Sequence, residues 1–153
     1  MDFYITDRTF SLQTVVSTDG ATEFQVITTS DEVELSTGSR RMTMGLAFDY
    51  KNTGLIKEKT SVGNYVLYRD LNNKFIWMTI LKVTHNPLTG IRTLECEDAG
   101  LDLLNETVES SKNNGNHNIA WYINKFTNDS GFEIGKNEIP NLTRTLEWDG
   151  EST

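Results

Sequence analysis

One cysteine, two histidines and two prolines stand in a chain of 153 residues, and each scarcity removes a class of chemistry. A single thiol, Cys96, makes no internal disulfide and no multi-cysteine zinc site, so cysteine usage leaves the redox compartment open. His85 and His117 fit neither an HExxH nor an HxH spacing, which leaves a dedicated metal without support. Positive charge is scarce too: 14 Lys and Arg face 22 Asp and Glu, for a formal charge of −8. Phosphate backbones and anionic membranes are gripped by clustered Lys and Arg, so neither is an expected partner. No run approaches the roughly 20 apolar residues of a transmembrane helix. Met1 to Arg8 carries neither the basic leader nor the apolar stretch of a signal peptide. The Asn-x-Ser/Thr triplets at Asn105, Asn128 and Asn141 are read as chance in a chain with 14 Asn and 20 Thr.

What is present is the composition of a globular protein, with 37% apolar, 24% charged and 10% aromatic residues. The length supports a core without disulfide or metal staples and is too short for a (β/α)₈ barrel. Up to about residue 96 the signal is strand-like: short runs rich in β-branched and aromatic residues, broken by turn chemistry at intervals of about ten. The runs are Phe3 to Ile5, Phe10 to Val16, Glu23 to Thr28, Glu32 to Leu35, Arg41 to Phe48, Asn64 to Arg69, Lys74 to Thr84 and Ile91 to Glu97. Asp19-Gly20, Thr37-Gly38, Asn52-Thr53-Gly54, Asp70 to Asn73 and Asn86 to Gly90 punctuate them with residues that tolerate positive φ. Many short strands at such spacing predict a sandwich or a barrel.

Two stretches carry helical spacing instead. Asp98 is a natural N-cap for a short helix that puts Leu101, Leu104 and Val108 on one face. Asn118 caps a second, with Ile119, Tyr122, Ile123 and Phe126 at helical intervals and Ser130-Gly131 to end it. The polar stretch Ser110 to His117 between them reads as a loop, and Phe132 to Ile134 and Leu142 to Trp148 as strands. A helix with two strands and no cover is poor domain anatomy, so the chain is expected to end early, before its second unit is complete. The fold class is therefore mainly β (α+β), with a β-rich domain over residues 1–97 and a helix-containing, truncated second unit over 98–153.

A search for catalytic constellations gives weak candidates. Cys96 with His85 or His117 is a conceivable thiol pair, but Cys96 lies between Glu95 and Glu97, and flanking carboxylates raise a thiol's pKa. A buried structural cysteine is the better reading. The run Thr37 to Gly45 lacks the spacing and the terminal Gly-Lys of a phosphate loop. Glu95, Glu97, Asp98, Asp102, Glu106 and Glu109 are compatible on paper with a carboxylate pair or a calcium site, yet they surround a helix start, where acids meet the helix dipole favourably. Trp77, Trp121 and Trp148 read as core or interface anchors before a sugar platform. No catalytic, cofactor-binding or metal-binding residue is assigned.

The order of the signals is more informative than any one of them. A strand-rich N-terminal part leads into Val62 to Val66 and Phe75 to Ile80, then an acidic strand running into a leucine-bearing helix, Leu94 to Leu104. The helix Ile119 to Phe126, Ser130 to Gly135 and Thr143 to Trp148 follow. From about Ile5 to Trp148 this resembles the N-terminal region of minor structural tail proteins of siphophages, the tail-associated, often endopeptidase-bearing family found in phages of Gram-positive bacteria. The resemblance implies β-rich tube domains of the baseplate-hub kind that assemble as a homotrimer, close the end of the tail tube and dock on the hexameric distal tail ring. It places the protein in the virion tail tip, assembled in the host cytoplasm, with phage DNA passing the lumen unbound, no cofactor and no membrane anchor. It also implies that this segment is not an enzyme, and that any lytic or receptor-binding domain lies farther along the chain. The competing readings are a small cell-wall-directed hydrolase built on Cys96 and His85, and a carbohydrate-binding β module using Trp77 or Trp148.

Overall fold

A computed structural model describes residues 1–20, 22–36, 38–105, 115–127 and 142–145. The chain divides into two compact units, Met1–Gly100 and Leu101–Thr153. In the first, seven strands form a mostly antiparallel closed barrel: β1 (Asp2–Thr6), β2 (Leu12–Ser17), β3 (Phe24–Val33), β4 (Arg40–Ala47), β5 (Tyr65–Arg69), β6 (Phe75–Asn86) and β7 (Ile91–Asp98). Their order around the barrel is β1-β2-β3-β4-β7-β6-β5, with β5 returning to β1. Of the two architectures the spacing allows, the barrel is the one formed.

The side-chain period of two explains the core. Along β7 Arg92, Leu94 and Cys96 are buried, while Thr93, Glu95 and Glu97 alternate with them. Cys96 lies opposite Met42 on β4 and Ile80 on β6, and Leu94 lies opposite Met44, so the core is stacked in layers across neighbouring strands. Phe3, Ile5, Val16, Phe24, Leu46, Val66 and Met78 belong to it as well. The turns use the punctuation already read. In the link from β5 to β6, Asn73 takes φ 61°, while the Asp70 carboxylate accepts the Asn72 and Lys74 N–H groups at 2.9 Å each.

Every pairing in the barrel is antiparallel except β2–β3, which runs parallel over two residue pairs, Val16↔Phe24 and Ser17↔Gln25. Parallel neighbours ordinarily need a long crossover. Here the two strands meet only where β2 ends and β3 begins, so the short segment from Thr18 to Glu23 suffices.

Three elements differ from the sequence reading. Glu32 to Leu35 is not a strand of its own: β3 runs unbroken through Val33, and the chain turns between Glu34 and Ser39. Asn52-Thr53-Gly54 is not a turn but the junction of a 3₁₀ turn, Tyr50–Asn52, with helix α1, Thr53–Lys59. Helix α1 is too short to hold in isolation and is anchored by Ile56, which is fully buried. Its C-terminus is held by Arg92, whose Nε donates to Thr60 Oγ1 at 2.6 Å and Nη2 to the Thr60 carbonyl at 3.0 Å. The stretch after Asp98 forms a 3₁₀ helix, Ala99–Asn105, rather than an α-helix; Asp98 still acts at its start, accepting the Gly100 N–H at 2.8 Å.

In the second unit, α2 (Ile119–Thr127) forms with Asn118 Oδ1 accepting the Trp121 N–H at 2.9 Å, the cap its sequence predicts. A two-stranded pair, β8 (His117–Asn118) and β9 (Thr143–Arg144), accompanies it. The readings for Val108, Ser110 to Asn114, Ser130-Gly131, Phe132 to Ile134 and residues 146–148 lie outside the described residues.

Candidate functional site

A barrel with its apolar residues inside ordinarily presents polar side chains outside. On one flank this one does not. Because Phe3 and Ile5 point into the core, Tyr4 points out; the same alternation sends Tyr65, Leu67 and Arg69 of β5, and Phe75 and Trp77 of β6, to the outside. Register then lines them up. Val15, Tyr4, Leu67 and Trp77 face one another across four adjacent strands, an apolar row on the outer surface. Tyr4 is 41% exposed, Trp77 37% and Phe75 56%.

One end of this face is built by the link between β1 and β2. The Asp7 carboxylate accepts the Thr9 and Ser11 N–H groups at 2.8 and 3.0 Å and the Gln13 amide at 2.9 Å. The Thr9 hydroxyl bonds it as well, and these bonds hold the Asp7 pKa below the ordinary carboxylate range. The turn they fix puts Phe10 at φ 62° and lays its ring on Tyr65, 5.5 Å between centroids and 10° from parallel. Trp77 meets Phe10 edge-on at 5.4 Å. Arg8 closes the cluster, donating to the Tyr65 hydroxyl at 2.7 Å with its guanidinium 4.8 Å from the ring centroid. At the other end, Tyr4, Leu67, Phe75, Asp2 and Arg69 line a groove of about 470 Å³. There the Arg69 guanidinium stands 3.8 Å from the Phe75 ring centroid and donates to Asn73. Exposed aromatic rings bordered by arginine are the composition of a protein–protein contact.

The barrel mouth beside β3 holds a second, polar feature, a cavity of about 330 Å³. Arg40 clamps Asp31 through Nε at 2.7 Å and through Nη2, and Tyr68 donates to the same carboxylate at 2.7 Å. Burial pushes the Asp31 pKa up, but the Arg40 and Tyr68 bonds outweigh it and hold the carboxyl below its usual range. Burial and the neighbouring carboxylate push the Tyr68 hydroxyl the other way, upward. Asp70 lies 3.8 Å from Arg40. Acid, base and hydroxyl are thus bonded to one another, an arrangement that braces the mouth rather than moving protons.

Within the barrel, the sequence candidates Cys96 and His85 are not brought together. Cys96 is buried opposite Ile80, whereas His85 lies opposite Arg92, four positions away on β7 and so about 13 Å along the strand. Burial, not the flanking acids, pushes the Cys96 thiol up to about 12; Glu95 and Glu97 alternate with it and face away from the core. His85 stacks on Phe48 at 4.7 Å, and both ring nitrogens are enclosed without a hydrogen-bond partner. His117, in the other unit, stacks on Trp121 at 3.8 Å. The acidic run is dispersed: Glu95 pairs with Lys82 at 2.7 Å, Glu97 faces Arg41, and Asp98 caps the 3₁₀ turn. Glu106, Glu109 and Trp148 lie outside the described residues. Among the described residues no group of His, Cys, Asp and Glu is arranged to hold a metal ion.

The outer aromatic face escaped the sequence reading, although a signal for it exists. Tyr65-Val66-Leu67-Tyr68 is continuously apolar rather than alternating, which in a strand means that both faces are covered or destined to be. Compared with known proteins, the chain matches no protein-family model and no curated protein sequence.

Proposed function

We propose that this chain is a structural segment of a phage tail tip, a hub piece that closes the tail tube and docks on the distal tail ring. Residues 1–97 are its tube-type domain, and residues 98–153 begin a second α+β hub domain. The observation that carries the reading is the outward apolar row Val15, Tyr4, Leu67 and Trp77, with Phe10, Phe75 and Arg8 around it. A face of that composition belongs against another protein. The resemblance supplies the partners: two further copies in a homotrimer, and the distal tail hexamer. A net charge of −8 suits a wall past which DNA slides without sticking. Lysis and receptor binding then belong to other segments of the protein, in the virion tail tip. The test is light scattering after size exclusion of this chain mixed with the distal tail protein of the same genome, each run alone as reference. Co-elution with three copies per ring supports the proposal, and separate elution counts against it.

A second reading rests on the groove between Tyr4 and Phe75, where aromatic walls stand beside Asp2 and Arg69. Apolar walls with a few polar groups are the make-up of a small-ligand site, here one for a sugar. A change in Trp77 fluorescence with cell-wall saccharides would favour it, and silence across a panel would dismiss it.

A further inference from the structure

The barrel closes through two residue pairs between β2 and β3, and beyond Gln25 no described strand pairs with β3 on the side away from β4. Residues 27 to 33 are exposed without interruption. Alternate N–H and C=O groups of this segment therefore point away from β4, with no strand among the described residues to meet them. An exposed strand edge of this kind is a template for an added strand.

We propose that the edge Ile27–Val33 pairs antiparallel with the same edge of a second copy, centred on Ser30. That register sets Ile27 opposite the partner's Val33, Thr28 opposite the partner's Glu32, and Thr29 opposite the partner's Asp31. Ile27 and Val33, 43% and 51% exposed, are the apolar side chains of the exposed edge, and this register brings them together at both ends. Moving the centre one residue on, to Asp31, would set that carboxylate against its own copy, a like-charge pair that costs stability. The acids do not repel the approach in the favoured register, because cations already face them. Arg40 holds Asp31, and Glu32 lies opposite Arg41. A single pair of short strands buries little area, so the association is weak and concentration-dependent. The contact is two-fold and isologous, unlike the head-to-tail contacts that close a three-fold ring, and it does not rest on the tail-tip reading.

Cysteine cross-linking of the full chain tests both pairing and register. At the two-fold, Ser30→Cys meets itself across a strand pair at a Cα separation of about 4.5–5.5 Å, within disulfide reach. Buried Cys96 does not compete. Under mild oxidation Ser30→Cys is expected to give covalent dimer roughly tenfold faster than Lys51→Cys, an exposed control away from the edge. Thr28→Cys and Glu32→Cys should cross-link when mixed and not separately. Ile27→Lys with Val33→Lys should abolish the Ser30→Cys cross-link while leaving the thermal unfolding midpoint in place. Equal rates for Ser30→Cys and Lys51→Cys, or cross-linking that survives the two lysines, would overturn the proposal. A three-copy particle that shows no Ser30→Cys cross-link would overturn it too, and leave the ring reading standing.

Discussion

Arg92 is a guanidinium inside a barrel, 6% exposed, whose hydrogen bonds run to Thr60 and, among the described residues, to no carboxylate. The C-terminal end of a helix carries partial negative charge, which is what Arg92 meets at α1. Arg92→Met keeps the volume and abandons the Thr60 carbonyl, so urea unfolding should show a loss of about 1–3 kcal/mol. Cys96 behaves as a small hydrophobe: alkylation at neutral pH should be negligible in the folded protein and rapid once urea unfolds it. Two titrating residues act in separate windows. His85 has a depressed pKa, from burial and then from Lys57 and Arg92, so the folded state resists its proton; its stabilisation is complete above the unfolded value near 6.5 and is lost as the pH falls through the folded one. Asp31 is depressed as well, and its contribution is intact above the ordinary carboxylate value near 3.9 and disappears on further acidification. His85→Gln should flatten the fall in thermal midpoint just below neutrality, whereas Asp31→Asn should flatten only the fall in strong acid.

At the scale of elements, Ile56→Ala tests whether α1 depends on its single buried anchor. A loss of about 2–5 kcal/mol is expected in denaturant titrations, with the β-sheet signature of the circular dichroism retained. Helix α1 was hidden from the sequence because one buried residue in seven has no periodicity and Gly54 beside Asn52 spells a turn. The strands of the barrel were legible because one face of each must be apolar; β7, with Arg92, Leu94 and Cys96 in and Thr93, Glu95 and Glu97 out, is the clearest case. Alternation says nothing about partners, so the parallel contact of β2 with β3 was invisible. It also fails past Val26, where β3 is exposed on both faces and its acids give the appearance of a fresh strand from Glu32. Of the site, Trp77 reads from residue type alone as a core or interface anchor, without a choice between the two. The row it completes needed the registers of β1, β2, β5 and β6, which are long-range facts.

For the whole molecule, an apolar docking face predicts an unusual salt response. On the proposed tail-tip reading, binding of the distal tail ring should hold or strengthen in sodium sulfate, where a contact between charged surfaces would weaken. Tyr4→Ser, on an exposed side chain, should reduce ring binding by roughly tenfold or more with little change in the thermal midpoint. The closure between β2 and β3 has a mechanical consequence of its own. A ring held by two rungs at one joint, by three between β1 and β5 and by five to eight at every other joint should open first between β2 and β3, with β4, β7 and β6 still paired. Amides of Phe24 and Gln25 should exchange with solvent deuterium well before those of Leu94 and Cys96, because two rungs hold the first pair while long ladders on both sides hold the second. A disulfide clamp across β2 and β3 should abolish that difference in exchange.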